Sequence, residues 1–175
     1  TGYEYSFEPE RETIFPLEDE FYNPFYTEPS ERSIAMAHHT IDEGASIVIQ
    51  HHPHVLQGLE LYNGKLIAHS LGNFVFDQNF PETFPSMILN AEYDETGFFE
   101  YQIVPVYLHY YLPQIATGNL ANYILDHMAM KSRKLNTYIK VDRENYIGEI
   151  VFDAPYFSYS INLPFVKKYK KDKQL

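Results

Sequence analysis

An α+β fold, with most of its order in strands, follows from three features of the sequence. Apolar runs flank Asn63-Gly64 and again Asp94-Glu95-Thr96-Gly97, two hairpin signatures. Only two stretches, beginning near Ser30 and Asn119, space apolar residues as a helix does. Aromatic residues make up 17% of the chain, as 16 Tyr and 13 Phe with no Trp, a load that suits pleated, half-buried surfaces. Helix, strand, histidine loop, hairpin, hairpin, helix is an α+β order.

Taken in turn, residues 1–29 are acidic, aromatic and broken by Pro9, Pro16, Pro24 and Pro29, which predicts a long loop docked by Phe and Tyr side chains. Ser30 is suited to cap a helix, and Glu31 to its positive end. Ile34, Ala35, Ala37, His38 and Ile41 then form the expected buried face, with Gly44 as the stop. Ala45 to Gln50 reads as a short strand covered on both faces. Leu56–Tyr62 and Lys65–Ser70 make the first hairpin, Met87–Tyr93 and Phe98–Leu108 the second. Asn119 is expected to cap a helix from Leu120 to about Lys134, with Leu120, Ile124, Leu125 and Met128 inward. Strands are predicted at Tyr138–Val141 and Ile147–Phe152, and a weaker one at Tyr156–Leu163.

The 175 residues suffice for one domain with a sizeable core, read as residues 1–175 with a basic tail at 164–175. The net charge is −11, although the tail holds five Lys against one Asp, so the body is more acidic than the whole. An acidic body without a basic stripe argues against nucleic acid as a partner. It also disfavours direct capture of a polyanion unless bound metal reverses the local sign. There is no cysteine, hence no disulfide and no thiolate site, and no run reaches the length of a membrane span. The chain opens at Thr1 without an initiator Met and reads as part of something longer.

Chemistry concentrates at His51-His52-Pro53-His54, directly after the apolar run Ile47-Val48-Ile49. Neutral imidazoles at a strand end suit zinc, manganese or iron. In an extended segment His52 and His54 project to one side, with Pro53 restraining the backbone between them. Each would then bind one metal of a pair, or one would bind metal and the other contact substrate. His51, pointing the opposite way, is expected to pack behind them. The plainer alternative is a surface loop whose histidines cap backbone groups. His38 and His39 read as helix surface or packing, His69 as a satisfied sheet histidine, and His109 and His127 as isolated. Ser70-Leu71-Gly72-Asn73-Phe74 invites comparison with a Gly-Asn-His metal element, but no His follows Asn73. Asn73 is read instead as orienting a ligand from behind, or as an ordinary turn residue. Glu4, in Gly2-Tyr3-Glu4-Tyr5, either faces the site or is solvated.

These segments, in this order, resemble the poly-γ-glutamate capsule-biosynthesis family of the CapA type, a branch of the calcineurin-like metallophosphoesterases. The resemblance runs over roughly residues 1–110. It rests on Gly2-Tyr3-Glu4-Tyr5, Ile41-Asp42-Glu43-Gly44-Ala45, the strand Ile47–Ile49, His51 to Gly58 and Ser70 to Phe76. It implies that His52 and His54 correspond to the superfamily's Gly-His-x-His metal motif, as metal ligands and catalytic residues. His51, Ser70, Asn73 and Glu4 would lie behind them or against substrate. Gln50 departs from the family's usual Gly before this block.

The fold implied is the C-terminal part of a four-layer αββα sandwich. The first aspartate, the bridging carboxylate and the Asn-His pair belong to motifs that would precede Thr1. Implied with them are a dinuclear divalent centre (Mn, Fe or Zn) in the intact protein, not firmly held by this chain alone, and hydrolase chemistry that these residues alone do not complete. The implied partners are the N-terminal portion of the same fold, subunits of a membrane polymer synthase, and an anionic polymer or phosphoester substrate. The implied place is the cell surface or membrane, outside the cytoplasm. A non-catalytic assembly or transport subunit is the alternative.

Overall fold

The computed structural model describes residues 28–78, 80–95 and 97–152. Glu4, most of the loop read at residues 1–29, the strand read at Tyr156–Leu163 and the tail at 164–175 lie outside them. The described chain is mixed α+β, as its patterning predicts.

Helix α1 (Glu31–Asp42) starts where Ser30 Oγ accepts a hydrogen bond from Ser33 N at 3.2 Å, a cap worth about 1 kcal/mol. It ends two residues before Gly44, whose φ of +109° suits a residue without Cβ. Its buried stripe is Ser33, Ala37 and Ile41, narrower than the expected face, and Ala35 is exposed. Strand β1 (Ile47–Ile49) follows, then β2 (Leu59–Tyr62) and β3 (Lys65–Ala68), joined by Asn63-Gly64 at φ +52° and +72°. Two consecutive positive φ values are what a tight hairpin turn demands. The sheet order is β1-β3-β2, with β1 parallel and β2 antiparallel to β3. Strand β1 is covered on both faces in part, with Ile47 against the larger core cluster and Val48 against the α1 side, but it lies at the sheet edge and Ile49 is 47% exposed.

The second sheet is dominated by a long hairpin, β4 (Pro85–Asp94) and β5 (Gly97–His109), paired from Pro85↔Tyr107 to Asp94↔Gly97. The other edge of β5 takes β6 (Leu112–Ile115) near its end and β8 (Ile147–Val151) near its middle, and β7 (Tyr138–Asp142) closes the order beyond β8. Strand β6 carries no sequence signal, since its turn residues Tyr110 and Tyr111 adopt φ +49° and +68° without Gly or Asn. Helix α2 (Gly118–Arg133) begins two residues earlier than expected. Thr117, not Asn119, holds the cap position, and its side chain makes no capping bond.

Alternation along β3 divides the core. Leu66 and Ala68 face one way, into a cluster with Met87, Tyr101 and Ile103 of the second sheet and Ile124, Leu125 and Met128 of α2. Ile67 faces the other way, onto Ala37 and Ile41 of α1. Each large apolar side chain so buried contributes roughly 1.5–3 kcal/mol. The three-stranded sheet is thereby held rigidly from both sides. Its strand ends are fixed points from which loops can present chemistry.

Candidate functional site

Parallel pairing of β1 with β3 sets their C-terminal ends side by side, and Gln50 N extends the ladder by donating to Ala68 O at 2.8 Å. The loops leaving these two ends, residues 50–58 and 69–78, therefore meet at one rim of the sheet. There His54 Nδ1 lies 2.7 Å from Asn73 Oδ1, and Asn73 Nδ2 donates to Gln78 Oε1 at 3.0 Å. With its amide nitrogen occupied by Gln78, Asn73 presents an oxygen to His54. The imidazole must donate from Nδ1, so its lone pair is on Nε2. The ring of Phe76 lies 4.6 Å from that of His54, between centroids. Asn73 is buried, and His54 is partly buried.

Gly72 makes the meeting possible. Its φ is +77°, and a Cβ there would come within 2.9 Å of Pro85 O. Ser70, buried, accepts from Gly72 N at 3.3 Å, and Ser86 Oγ donates to Leu71 O at 3.0 Å, tying this segment to β4. Ser70 thus shapes the turn that delivers Asn73.

The histidine loop is not the extended segment expected. His52 and His54 sit at φ +103° and +61° around a buried Pro53. Their rings still lie near one another, with centroids 5.9 Å apart, but through two left-handed residues rather than strand alternation. Such conformations cost on the order of 1–3 kcal/mol each for residues with a Cβ, and persist where the surroundings dictate them. His51 and His52 are exposed.

Gln50 anchors the loop. It is 4% exposed and bonded on two sides. Its Oε1 accepts from Ser33 Oγ at 2.7 Å and its Nε2 donates to Ser33 O at 3.0 Å, both on α1. The same Oε1 lies 3.0 Å from His69 Nδ1. His69 Nε2 in turn lies 2.9 Å from Glu60 Oε2, and His38 Nε2 lies 2.7 Å from Glu60 Oε1. His38 stacks flat on Tyr62 at 3.8 Å between centroids. Burial alone would raise the Glu60 carboxyl, but hydrogen bonds and positive charge from His69 and His38 outweigh it and hold Glu60 below its usual range. His69 is the satisfied histidine that the sequence suggests, and His38 is more than surface decoration.

Elsewhere, His39 and His109 are exposed, whereas His127 is buried on the inner face of α2. Burial, with the Lys131 ammonium nearby, pushes the His127 imidazole down to about 3 despite a bond to the Leu56 backbone. Lys131 itself is buried and paired with Glu28 at 2.9 Å. Neither residue is in the histidine loop.

As a place for metal, the loop fits in part. His52 and His54 supply two neighbouring imidazoles, one with its tautomer set by Asn73. Among the described residues no group of three or more His, Cys, Asp or Glu is placed to hold an ion. Two imidazoles without a carboxylate hold a divalent ion weakly.

Comparison with known proteins falls on this same stretch. Residues 21–78, which contain α1, the histidine loop, the first hairpin and Asn73, match the family of bacterial capsule synthesis proteins, PGA_cap. The PGA biosynthesis protein CapA of Bacillus subtilis (strain 168) is 39% identical over 82 residues, covering 47% of this chain. The capsule biosynthesis protein CapA of Bacillus anthracis is 38% identical over 92 residues, covering 53%. An uncharacterized protein, y4sH, of Sinorhizobium fredii is 44% identical over 50 residues, 29% of this chain and 11% of its own. The match takes in 22% of the length of each Bacillus relative. Over residues 21–78, then, the chain is similar to the bacterial capsule synthesis proteins of the CapA type, and the similarity is partial.

Proposed function

We propose that this chain is part of a protein of poly-γ-glutamate or related capsule polymer synthesis, acting at the cell surface or membrane. None of the described helices is long and apolar enough to cross a membrane. In this reading the fold is the later part of a four-layer phosphoesterase-like sandwich. His52 and His54 contribute to a divalent metal site completed by residues outside the described ones. A metal bound there would lower the pKa of a coordinated water and neutralise an attacked phosphoryl or carbonyl oxygen. This chain's own part is narrower. Asn73 fixes the His54 tautomer, and the paired ends of β1 and β3 hold both loops in place.

The observation that carries the reading is the 2.7 Å contact of His54 Nδ1 with Asn73 Oδ1 inside the family-matched stretch. An imidazole whose far nitrogen is held by a fixed acceptor is how proteins orient histidine ligands. A second reading is favoured by the incomplete ligand set among the described residues. It makes the protein a non-catalytic assembly or transport subunit of a membrane polymer synthase, using the same rim for binding.

Complementation separates the two. In a capsule-forming bacterium lacking its own CapA-type protein, the intact protein is expected to restore surface polymer and its His54→Ala variant to fail. Full restoration by His54→Ala at equal protein level would favour the assembly reading.

A further inference from the structure

The hydrogen bonds beneath the histidine loop can be counted proton by proton. Gln50 Nε2 faces Ser33 O at 3.0 Å, so the amide orientation is fixed and Oε1 is an acceptor. Oε1 already takes the Ser33 hydroxyl, and His69 Nδ1, 3.0 Å away, must also donate to it. A neutral His69 would then turn a bare Nε2 lone pair toward Glu60 Oε2 at 2.9 Å, two acceptors face to face. One proton must lie between them. It sits either on Glu60, making a neutral pair, or on His69, making a buried imidazolium–carboxylate pair.

The surroundings favour His69. Glu60 receives a second contact from His38 Nε2 at 2.7 Å, and two donors on one carboxylate stabilise its ionised form. The direction in which the Glu60 carboxyl is displaced agrees. The other titratable groups around the chain are Asp42 on α1 and Tyr62 on β2, bonded to each other at 3.2 Å. Strand β1 contributes none.

We propose that Glu60, His69 and Gln50 are positioning residues that brace the histidine loop, with His69 carrying a proton on both ring nitrogens and Gln50 transmitting its position to His52 and His54. Gln50 follows the last residue of β1 and lies two residues before His52, the first left-handed residue of the loop, and like Glu60 it touches both α1 and His69. The Gln50 side chain ties the loop to the buried pair. The use made of the braced loop rests on the function proposed above, but the brace itself does not.

The test is imidazole nitrogen spectroscopy on the full chain, metal-free and labelled with 15N-histidine, at neutral pH. One histidine is expected to show both nitrogens protonated, assigned to His69 by its absence in His69→Gln. In Glu60→Gln that ring is expected to become singly protonated with Nδ1–H retained. The His54 and His52 signals should move in Glu60→Gln and in Gln50→Ala, while that of exposed His109, which makes no contact with Gln50 or Glu60 among the described bonds, stays in place. A singly protonated His69 in the wild type puts the proton on Glu60 and overturns the assignment. Unmoved His52 and His54 signals in both variants overturn the brace, and if Glu60→Gln does not fold, Gln50→Ala decides that arm alone. Because no metal is present, failure here is distinct from failure of the metal reading.

Discussion

Acid should destabilise this fold through one residue on α2. His127 is buried, and its imidazole is pushed from an ordinary value of 6.5 down to about 3 by burial first, then by the Lys131 ammonium. The native protein therefore keeps His127 neutral where the unfolded chain protonates it. For a depressed folded pKa, the stabilisation is complete above 6.5 and is lost as pH falls from there toward 3. Each pH unit inside that window costs roughly 1.4 kcal/mol, so the loss from pH 7 to pH 5 is about 2 kcal/mol. Most carboxylates remain ionised above pH 5, which keeps them out of the comparison. The assay is urea unfolding of the wild type and His127→Gln at pH 7, 6 and 5. The variant lacks the titrating ring, so the wild-type-minus-variant stability should fall by about 2 kcal/mol across that range. Parallel curves for the two proteins would refute the reasoning.

Other expectations concern the loop and the core. Gly72→Ala should cost more than Gly64→Ala in unfolding free energy: both glycines have positive φ, but only at Gly72 would a Cβ meet backbone, Pro85 O at 2.9 Å. The conformational part is about 1–2 kcal/mol at either position, and equal losses would remove the close approach from the account. Leu125→Ala, fully buried between α2 and both sheets, should cost about 2–5 kcal/mol by the same assay. Glu60, held below its ordinary 4.5, should stabilise the fold above that value and lose the contribution as pH falls through its lower folded value. Between pH 5 and 3, Glu60→Gln should therefore shed less stability than the wild type, and an equal loss would count against the pair with His69.

Much of this architecture is visible in the sequence because the signals are local. Asn63-Gly64 encodes its turn by chemistry alone, and Ser30 its cap. The apolar spacing of Ile124, Leu125 and Met128 encodes the face of α2. The misses share one physical cause. Strand β6 follows a turn of two tyrosines in the left-handed region, which only pairing with β5 can impose. The extended geometry assumed for His52 and His54 fails likewise, since their positive φ values are dictated by a buried Pro53 and a clamped Gln50 seventeen residues from Ser33. The meeting of His54 with Asn73 is a consequence of parallel pairing, a fact of topology rather than of spacing. Asn73 is a candidate by sequence, but nothing in the sequence says which histidine it touches. Nor does the sequence show that Gln50 is bonded to both Ser33 and His69.

The central claim is that His52 and His54 are metal ligands, with Asn73 holding His54. It is tested most directly by the bound-metal content of the intact protein, purified without added chelator and measured by plasma mass spectrometry. Joint replacement of His52 and His54 by Ala should abolish stoichiometric Mn, Fe or Zn, and Asn73→Ala should weaken metal affinity by about 10- to 100-fold. Unchanged metal content in the double variant would contradict the assignment.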